Sequence, residues 1–551
     1  MRSMLGRREF LAGVGAGAAG VLGSPAWFDL AVAAGDVAPI DPNYPLGVAA
    51  GDPRPHGAVI WTRVAPPTPA RRVAVTWEVA ADPSFRRVVR RGRADATAAS
   101  DHTVKVLVQG LDPDRWYHYR FRTAQGTSRI GRLRTAPPKG RASRRLRFAF
   151  SSCQQINDSH YVAHLAMADE DIDFWVHYGD YIYVHDFATL TLADYRQVYQ
   201  RFKANPLLQE LHARHPVVAM WDDGEFVNGI DRTLEPARFA AAKQAWFDYQ
   251  PVMRRRGDPD RTYREITWGD LASFLLLDVR QYRDPWPAGV PGGPLGLSTV
   301  DTRTEAGAHI FDADRTCLGR RQKSWLKRRL LAPEPRWRHI GHGYNFLALR
   351  LEDFDTPEAR ANPPAGFHVN GGSYIASDAW DAYWAERREL MTLLDQHEVP
   401  NVVVTAGHTH IYFAGGLRPD YDDLAASPVV ANEFVCGSLT ADPDLRRQYL
   451  PDLPLDEAEA VLRSLEGLFL TGNPHVDYMD LVSQGYGVVE LTPSAATVSF
   501  RVIDTFDRQA RATTRAAWTV PADPHRRRPR STPRPADRPR VAARPGATRT
   551  V

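Results

Sequence analysis

Short apolar runs that alternate with helical segments fill the middle of this 551-residue chain and constrain its fold most strongly. The apolar runs are LRFAFSS (146–152), DFWVHYG (173–179), PVVAMW (216–221), ASFLLLD (272–278), WRHIG (337–341) and NVVVTAG (401–407). The segments with helical spacing lie near residues 160–169, 192–210, 318–331 and 378–397. Because buried parallel strands are continuously apolar and are joined by helices, the pattern predicts an α/β fold for residues 146–505.

The preceding segment, residues 44–136, has a different pattern, in which apolar and polar residues alternate. Gly, Pro and Asp separate the alternating runs, which are GAVIWTRV (57–64), RVAVTWEVA (72–80), HTVKVLVQGL (102–111) and RWYHYRFRT (115–123). This predicts a β-sandwich that resembles fibronectin type III or immunoglobulin-like domains. Residues 137–145 are predicted to be a linker, and residues 486–503 a hairpin at the edge of the α/β sheet.

The N-terminal residues 1–35 have the pattern of a twin-arginine export signal. Arg7 and Arg8 precede a weakly apolar Gly/Ala run, and AVA at 31–33 is a plausible cleavage site. The sequence therefore predicts export through the twin-arginine machinery to the periplasm, the cell surface or the exterior. A membrane-anchoring helix is the alternative, although the run is short and rich in glycine.

The C-terminal residues 521–551 are predicted to be disordered, because they contain nine Arg, two Asp and few large apolar residues. They carry a net charge of +7, whereas residues 36–520 carry −4. The basic character of the chain therefore belongs to its tail and does not indicate a core that binds nucleic acid. Two interpretations stay open: an inert solvated tail, or a tail that contacts anionic surfaces.

The chain has three cysteines, Cys153, Cys317 and Cys436, which is too few for a disulfide framework. A bridge between Cys317 and Cys436 and two free thiols are both compatible with the sequence. The twin-arginine route exports proteins that folded in the cytoplasm, so it suits a protein that loads a metal before export.

Residues of metal-ligand type follow five predicted strands. They are Cys153, Asp180 with Tyr183, Asp222 and Asp223 with Asn228, His342, and His408 with His410. Singly, each has an ordinary explanation as a packed cysteine, a turn aspartate or a helix cap. Together they indicate a metal site, because functional groups collect where the strands of an open α/β sheet end. A bridging position between two metals would also explain why the acid in HYGDYIY (177–183) is buried.

Several motifs carry a family resemblance, and they occur in the order FSSCQQ, GDYIY, WDDGEFVNG, LLLDVRQYRD, CLGRRQKSWLKRRL, DAWDAYWAERRELM and NPHVDY…QGYGVVELTP. Over residues 44–505 the chain resembles the PhoD-like alkaline phosphatase D family of calcineurin-like metallophosphoesterases, whose site is similar to that of purple acid phosphatases. The resemblance implies a metallophosphoesterase α/β sandwich domain after the β-sandwich. Twin-arginine export is also typical of that family.

The resemblance further implies a ferric ion beside one or more divalent ions, commonly calcium. Cys153, Tyr183 and His410 would bind iron, and Asp180 would bridge both metals. The divalent ion would be bound by Asp223, Asn228 and His408. We predict Asp180, Asp223, His410 and Arg280 as catalytic residues. For Arg280 and Arg283, support of the site and fold-stabilising ion pairs both stay open.

Two positions depart from the family pattern. Gly224 stands where the family has a histidine, a change that could slow hydrolysis of poor leaving groups unless His185 or His160 substitutes. His408 stands where the family usually has aspartate, and His342 lies where the wider superfamily supplies a metal histidine. Two histidines would favour zinc, manganese or iron over calcium as the second metal.

The predicted function is hydrolysis of phosphoesters, with a metal-activated hydroxide that attacks phosphorus in line. Two alternatives stay open: a phosphodiesterase or phospholipase D-like enzyme, and a catalytically weak surface protein that binds metal or phosphate. The expected substrates are small phosphate esters or phospholipid and nucleotide diesters. Specific nucleic-acid binding is not expected, and the sequence does not indicate an oligomeric state.

Overall fold

The computed structural model describes residues 38–66, 71–184, 189–287, 299–375, 379–441, 446 and 450–523. The predicted export signal, His185 and residues 524–551 of the predicted tail lie outside the described residues. Among the described helices, none is long and apolar enough to cross a membrane.

The N-terminal part of the described chain is built from strands. Their bounds are β1 Val48–Arg54, β2 Gly57–Arg63, β3 Arg72–Ala80, β4 Val88–Thr97, β5 Thr103–Gln109, β6 Trp116–Thr123, β7 Gly126–Thr127 and β8 Gly131–Arg134. Strands β3, β4, β6, β7 and β8 form one sheet of their own, whereas β1, β2 and β5 belong to a larger sheet.

The rest of the described chain mixes strands and helices. The strands are β9 Leu146–Ser151, β10 Phe174–His177, β11 Val217–Ala219, β12 Arg264–Trp268, β13 Ala272–Leu276, β14 Thr299–Asp301, β15 Trp337–Gly341, β16 Arg350–Asp353, β17 Gly372–Ile375, β18 Val402–Ala406, β19 Tyr412–Leu417, β20 Ala431–Val435, β21 Val476–Asp480, β22 Gly485–Leu491, β23 Ala495–Val502 and β24 Thr513–Pro521. The α-helices are α1 Val162–Ala168, α2 Leu192–Lys203, α3 Pro206–Arg214, α4 Pro236–Tyr249, α5 Glu305–Ala308, α6 Gly319–Leu330, α7 Pro357–Ala361, α8 Trp384–Gln396 and α9 Leu455–Gly472.

Two large sheets form the α/β part. One has the strand order β24-β23-β22-β9-β10-β11-β1-β2-β5, and the other has the order β12-β13-β15-β18-β20-β19-β21. Aromatic side chains pack between them, as Phe148 on β9 does against Phe274 on β13, with ring centroids 4.9 Å apart. The strands that precede the candidate site run parallel to one another within each sheet: β9, β10 and β11 in one, and β15 and β18 in the other.

The N-terminal strands are continuous with the first of these sheets, because β1 pairs in parallel with β11. The pairing brings Gly51 opposite Val217. A Cβ atom at position 51 would lie 2.8 Å from the carbonyl oxygen of Val217 and 2.6 Å from that of Pro251, so the close approach requires glycine. Three strands of residues 44–136 therefore extend this nine-stranded sheet.

Two elements differ from the predictions. The segment near 192–210 forms two helices, because Asn205 caps α3 through the N–H of Leu207 at 2.9 Å and Pro206 begins that helix. The hairpin of β22 and β23 does not lie at the sheet edge, because β24 pairs along the outer side of β23. All three cysteines are buried and free, so Cys317 and Cys436 form no bridge.

Candidate metal centre

The ends of three adjacent parallel strands bring most of the predicted ligands together. Cys153 follows β9, Asp180 follows β10, and Asp222 and Asp223 follow β11. Because parallel neighbours end at the same edge of a sheet, these side chains converge there. His408 and His410 follow β18 of the second sheet, so the candidate site lies where the two sheets meet.

One group of ligand atoms consists of Cys153, Asp180 and His410, and these atoms lie within 4.8 Å of one another. The sulfur of Cys153 is 3.5 Å from Oδ2 of Asp180. The hydroxyl of Tyr183 adds a fourth candidate, because it lies 3.3 Å from the same oxygen and 3.2 Å from Nε2 of His410.

The second group consists of Asp180, Asp222, Asp223 and His408, again within 4.8 Å. Nδ1 of His408 lies 2.7 Å from Oδ2 of Asp222 and 3.5 Å from Oδ2 of Asp180. Asp180 belongs to both groups. Its carboxylate is thus placed between a sulfur- and phenol-containing set and a set rich in carboxylates.

The negatively charged groups of the site outnumber its cationic side chains, which favours the binding of cations. Three carboxylates and a thiol, each no more than 4% exposed, face Arg280 and His408 as the neighbouring cationic side chains. Burial, and then the charge of Asp180, raise the pKa of the Cys153 thiol well above its usual range. Nδ1 of His408 is the cationic group beside Oδ2 of Asp222, at 2.7 Å. Because a bound cation would stabilise the Cys153 thiolate and the three clustered carboxylates, the donor set fits a metal pair.

The hydrogen bond between His408 and Asp180 shifts the pKa of both side chains. Burial alone would raise the pKa of Asp180, but hydrogen bonding and charge from His408, with the charge of Arg280, hold it below the ordinary value. Burial alone would lower the pKa of His408, but the charges of Asp222 and Asp223 raise it well above its usual range.

Four of the candidate ligand residues have strained backbone conformations. Cys153, Asp180, His408 and His410 all have positive φ angles, of 60°, 55°, 70° and 60°. Non-glycine residues in this region cost on the order of 1–3 kcal/mol each and cluster at functional sites. The surrounding fold therefore holds these four side chains in conformations that an unconstrained chain would avoid.

Glu225 holds two loops of the candidate site together, and the sequence analysis assigned it no role. Its buried carboxylate accepts the backbone N–H groups of Asp180 and Tyr181, both at 2.9 Å, and that of Asp222 at 2.8 Å. One side chain thus joins the two loops that carry the central carboxylates. Its place in WDDGEFVNG, two residues after Asp223, was the available signal.

Arg280 contacts two carboxylates of the second group. Nε of Arg280 donates a hydrogen bond to Oδ1 of Asp222, and its Nη2 is 3.5 Å from Oδ1 of Asp223. Arg283 is also buried, but its Nε donates to the carbonyl oxygen of Ile230 at 2.7 Å.

Three predicted or alternative residues lie outside both groups. His342 is fully buried and its Nε2 is 3.5 Å from Oε1 of Glu433. Asn228 is exposed, although the N–H of the next residue, Gly229, donates to Oδ2 of Asp223 at 2.8 Å. His160 accepts a hydrogen bond from Nε of Arg508 at 3.3 Å.

Gly224 is in direct contact with Asp180. Its N–H donates to Oδ1 of Asp180 at 2.8 Å. A Cβ atom at position 224 would lie 2.7 Å from that oxygen and 2.6 Å from the carbonyl oxygen of Ile182. Gly224 therefore supplies a backbone donor where a side chain does not fit without movement.

Comparison with known proteins agrees with this architecture. The family model of the PhoD-like phosphatase matches residues 148–500, and that of its N-terminal domain matches residues 30–137. The chain belongs to the PhoD-like phosphatase family. It is therefore a phosphoesterase, and the family resemblance stated from the motifs is confirmed.

Individual members of the family cover most of the chain. Alkaline phosphatase D of Bacillus subtilis (strain 168) is 30% identical over 468 residues, which are 80% of this chain and 73% of that protein. A solved structure of PhoD is 29% identical, with a TM-score of 0.75 over 92% of this chain and 94% of that one. The predicted fold class is confirmed by this structural match. Family membership and the two ligand groups together indicate metal ion cofactors.

Proposed function

We propose that the protein is an exported, metal-dependent phosphoester hydrolase of the alkaline phosphatase D type. The observation that carries the proposal is the carboxylate of Asp180, which is shared by two groups of candidate ligands. A shared carboxylate is what a dinuclear centre requires, and dinuclear centres are typical of enzymes that transfer phosphoryl groups.

We assign ferric iron to Cys153, Tyr183 and His410, and a divalent ion to Asp223 and His408, with Asp180 between them. Asp222 is added to the divalent side because it lies in the same group. Calcium is favoured by the family resemblance, and zinc or manganese by the imidazole of His408. Asn228 and His342 stay predictions, because Asn228 is exposed and His342 faces Glu433.

When bound, the metal pair would supply positive charge to the phosphate and lower the pKa of a water molecule. The side chains around the metal pair would contribute further positive charge. Arg280 is held by Asp222, and its Nη2 lies 3.2 Å from Nδ1 of His408, so a fixed guanidinium points at the centre. A fixed positive charge of this kind stabilises the charge that develops on a phosphoryl group in the transition state. We therefore propose Asp180, Asp223, His410 and Arg280 as catalytic residues.

The organisation of the chain supports export. We propose residues 1–35 as a twin-arginine signal, residues 44–136 as the N-terminal domain, residues 137–145 as the linker, residues 146–505 as the catalytic domain and residues 521–551 as a tail. Arg7 and Arg8 ahead of an apolar run support the first of these. The exported enzyme would act in the periplasm or outside the cell on phosphate esters or phospholipid and nucleotide diesters.

One assay tests the proposal. Wild type, Asp180→Ala and Asp248→Asn are compared on nitrophenyl phosphate and bis-nitrophenyl phosphate, with metal content measured on the same samples. Asp248 is a matched control, because it is a buried aspartate held by Arg196 at 2.6 Å outside both groups. We expect Asp180→Ala alone to lose activity and metal. A wild type without activity on either ester, with any metal supplied, would indicate a binding protein instead.

A further inference from the structure

The outer face of the N-terminal sheet of β3, β4, β6, β7 and β8 is polar and basic. Along β6, Tyr117, Tyr119 and Phe121 are buried, whereas the alternate residues Trp116, His118, Arg120 and Arg122 are half-buried or exposed. Because successive side chains of a strand point to opposite faces, one face packs on the core and the other meets solvent.

Strand register gathers arginines in rows on that outer face. Arg93 and Arg122 are the neighbours of Thr76 on either side. Two residues further on, Arg91 and Arg120 flank Glu78 in the same way. Two more arginines follow on β8, opposite His118 and Trp116. We call these residues the basic face: Arg91, Arg93, Arg120, Arg122, Arg132 and Arg134.

Acidic neighbours compensate only part of this charge. Glu78 accepts Arg120 at 2.8 Å and lies 3.7 Å from Arg122. Arg134 pairs with Asp114 and Asp173. Within the part of the chain that the structure describes, the other three arginines, Arg91, Arg93 and Arg132, form no salt bridge. Since residues 36–520 carry a net charge of −4, the basic face is a local concentration of positive charge.

Protection of a sheet edge explains only some of these residues. Charged side chains on an edge strand prevent pairing with another chain, and β4 is such an edge. Strand β6, however, lies between β3 and β8, so Arg120 and Arg122 have no edge to protect. The arginine rows cross the sheet, which points to a partner that contacts several strands at once.

We propose that the basic face docks on the surface of an anionic phospholipid bilayer. Adjacent strands are about 4.8 Å apart, so the guanidinium groups are spread over a broad, gently twisted plane rather than a groove. Guanidinium groups bind phosphate in a bidentate manner, and such contacts match lipid headgroups. Val88, which pairs with Ala80 on β3 and is 38% exposed, adds an apolar side chain to the edge strand. An apolar side chain beside basic residues is typical of surfaces that bind at a membrane interface.

The test measures binding of the full-length chain to vesicles of phosphatidylglycerol mixed with phosphatidylcholine, and of phosphatidylcholine alone. The triple variant Arg91→Gln/Arg93→Gln/Arg132→Gln is compared with Arg320→Gln/Arg321→Gln/Arg328→Gln, which removes three exposed arginines from α6. One arginine near an anionic surface is worth about fivefold in binding, so the first variant should bind roughly a hundredfold more weakly at ~0.1 M salt. The second should bind nearly as wild type does. The basic tail is common to all three proteins, so the difference reports the sheet.

Folding is checked by thermal unfolding and by hydrolysis of nitrophenyl phosphate, which should be unchanged in both variants. If the triple variant is destabilised, Arg91→Gln/Arg93→Gln on the exposed edge strand should still bind about 25-fold more weakly. Equal losses in the two triple variants, or equal binding of wild type to both kinds of vesicle, would overturn the proposal. So would retention on immobilised inorganic polyphosphate without any binding to vesicles, because the partner would then be a soluble polyanion.

Discussion

The backbone N–H of Asp180 donates a 2.9 Å hydrogen bond to the buried carboxylate of Glu225, which also accepts the N–H of Asp222. Glu225 therefore determines the spacing of two carboxylates without belonging to either ligand group itself. Glu225 should therefore affect the reaction by positioning the metal ligands, as residues that orient metal ligands do in other proteins.

Glu225→Gln should lower metal occupancy and activity by about 10- to 100-fold, because an amide N–H₂ would face one of the donors. The measurement is metal content per chain together with kcat on nitrophenyl phosphate. Glu386→Gln is the control, because Glu386 is equally buried, accepts the N–H of Leu318 at 3.2 Å and belongs to neither ligand group. It should lose stability and keep its metals. Equal metal loss in both variants would show that Glu225 has only a general structural role.

Asp222→Asn should reduce activity by at least about a hundredfold and remove the divalent ion, whereas iron should stay. The reason is the position of Asp222 in the second ligand group, where it also holds Arg280. Metal analysis of the purified variant separates the two metals. If both metals were retained, Asp222 would act only by orienting Arg280.

Much of the site follows from the sequence, because the strand ends alone bring Cys153, Asp180 and Asp223 to one edge. The choice between neighbouring residues does not follow. Beyond Ala219 the backbone leaves the regular strand, so the alternation of side chains no longer says whether Asp222 or Asp223 faces the site. Both do, and sequence reasoning assigned a metal to only one.

Two further features could not be predicted from the sequence: the pairing of strands far apart in the chain, and the direction of the His342 ring. The pairing of β1 with β11 joins segments far apart in the chain, and no local pattern indicates it. His342 occupies a strand end, as predicted, but its ring packs against Phe346, with centroids 4.5 Å apart. That direction depends on neighbours from other elements, which residue spacing does not encode.

Tyr183→Phe should abolish the charge-transfer colour of the purified protein, if the phenol is a ligand of ferric iron. The Tyr183 hydroxyl lies 3.2 Å from Nε2 of His410, so both side chains reach the same position. Visible absorption spectra of the wild type and the variant make the comparison. Tyr181→Phe is the matched control, because the hydroxyl of Tyr181 instead bonds to His212 at 2.7 Å, and it should keep the colour. A colour that survives Tyr183→Phe would exclude the phenolate assignment.

Gly224→His, which introduces the histidine that the family resemblance implies, should not raise activity. The added Cβ would lie 2.6 Å from the carbonyl oxygen of Ile182, so the chain must move where it contacts Asp180. Gly224→Ala isolates this effect and should already lower kcat and metal content. Gly467→Ala is the control, because a Cβ atom added there has no heavy atom within 4 Å, and it should keep kcat and metal content. Higher activity in Gly224→His than in wild type would show that the site adjusts readily.

The contribution of Glu433 to the stability of the protein should fall as pH rises toward 8. Burial raises the pKa of Glu433 from 4.5 to about 8, although the N–H groups of Phe346 and Leu347 oppose the shift. The folded state thus holds a proton that the unfolded state releases above pH 4.5, so this contribution is complete below that pH and is lost as pH rises to about 8. The loss is up to about 1.4 kcal/mol per pH unit within the window.

Glu433→Gln cannot titrate, so its Tm relative to wild type should increase between pH 5 and pH 8. Glu210→Gln should show a constant difference over the same range, because Arg129 and Arg214 hold the pKa of Glu210 below its ordinary value against the effect of burial. A pH-independent difference for Glu433→Gln would mean that Glu433 is ionised in the folded protein throughout.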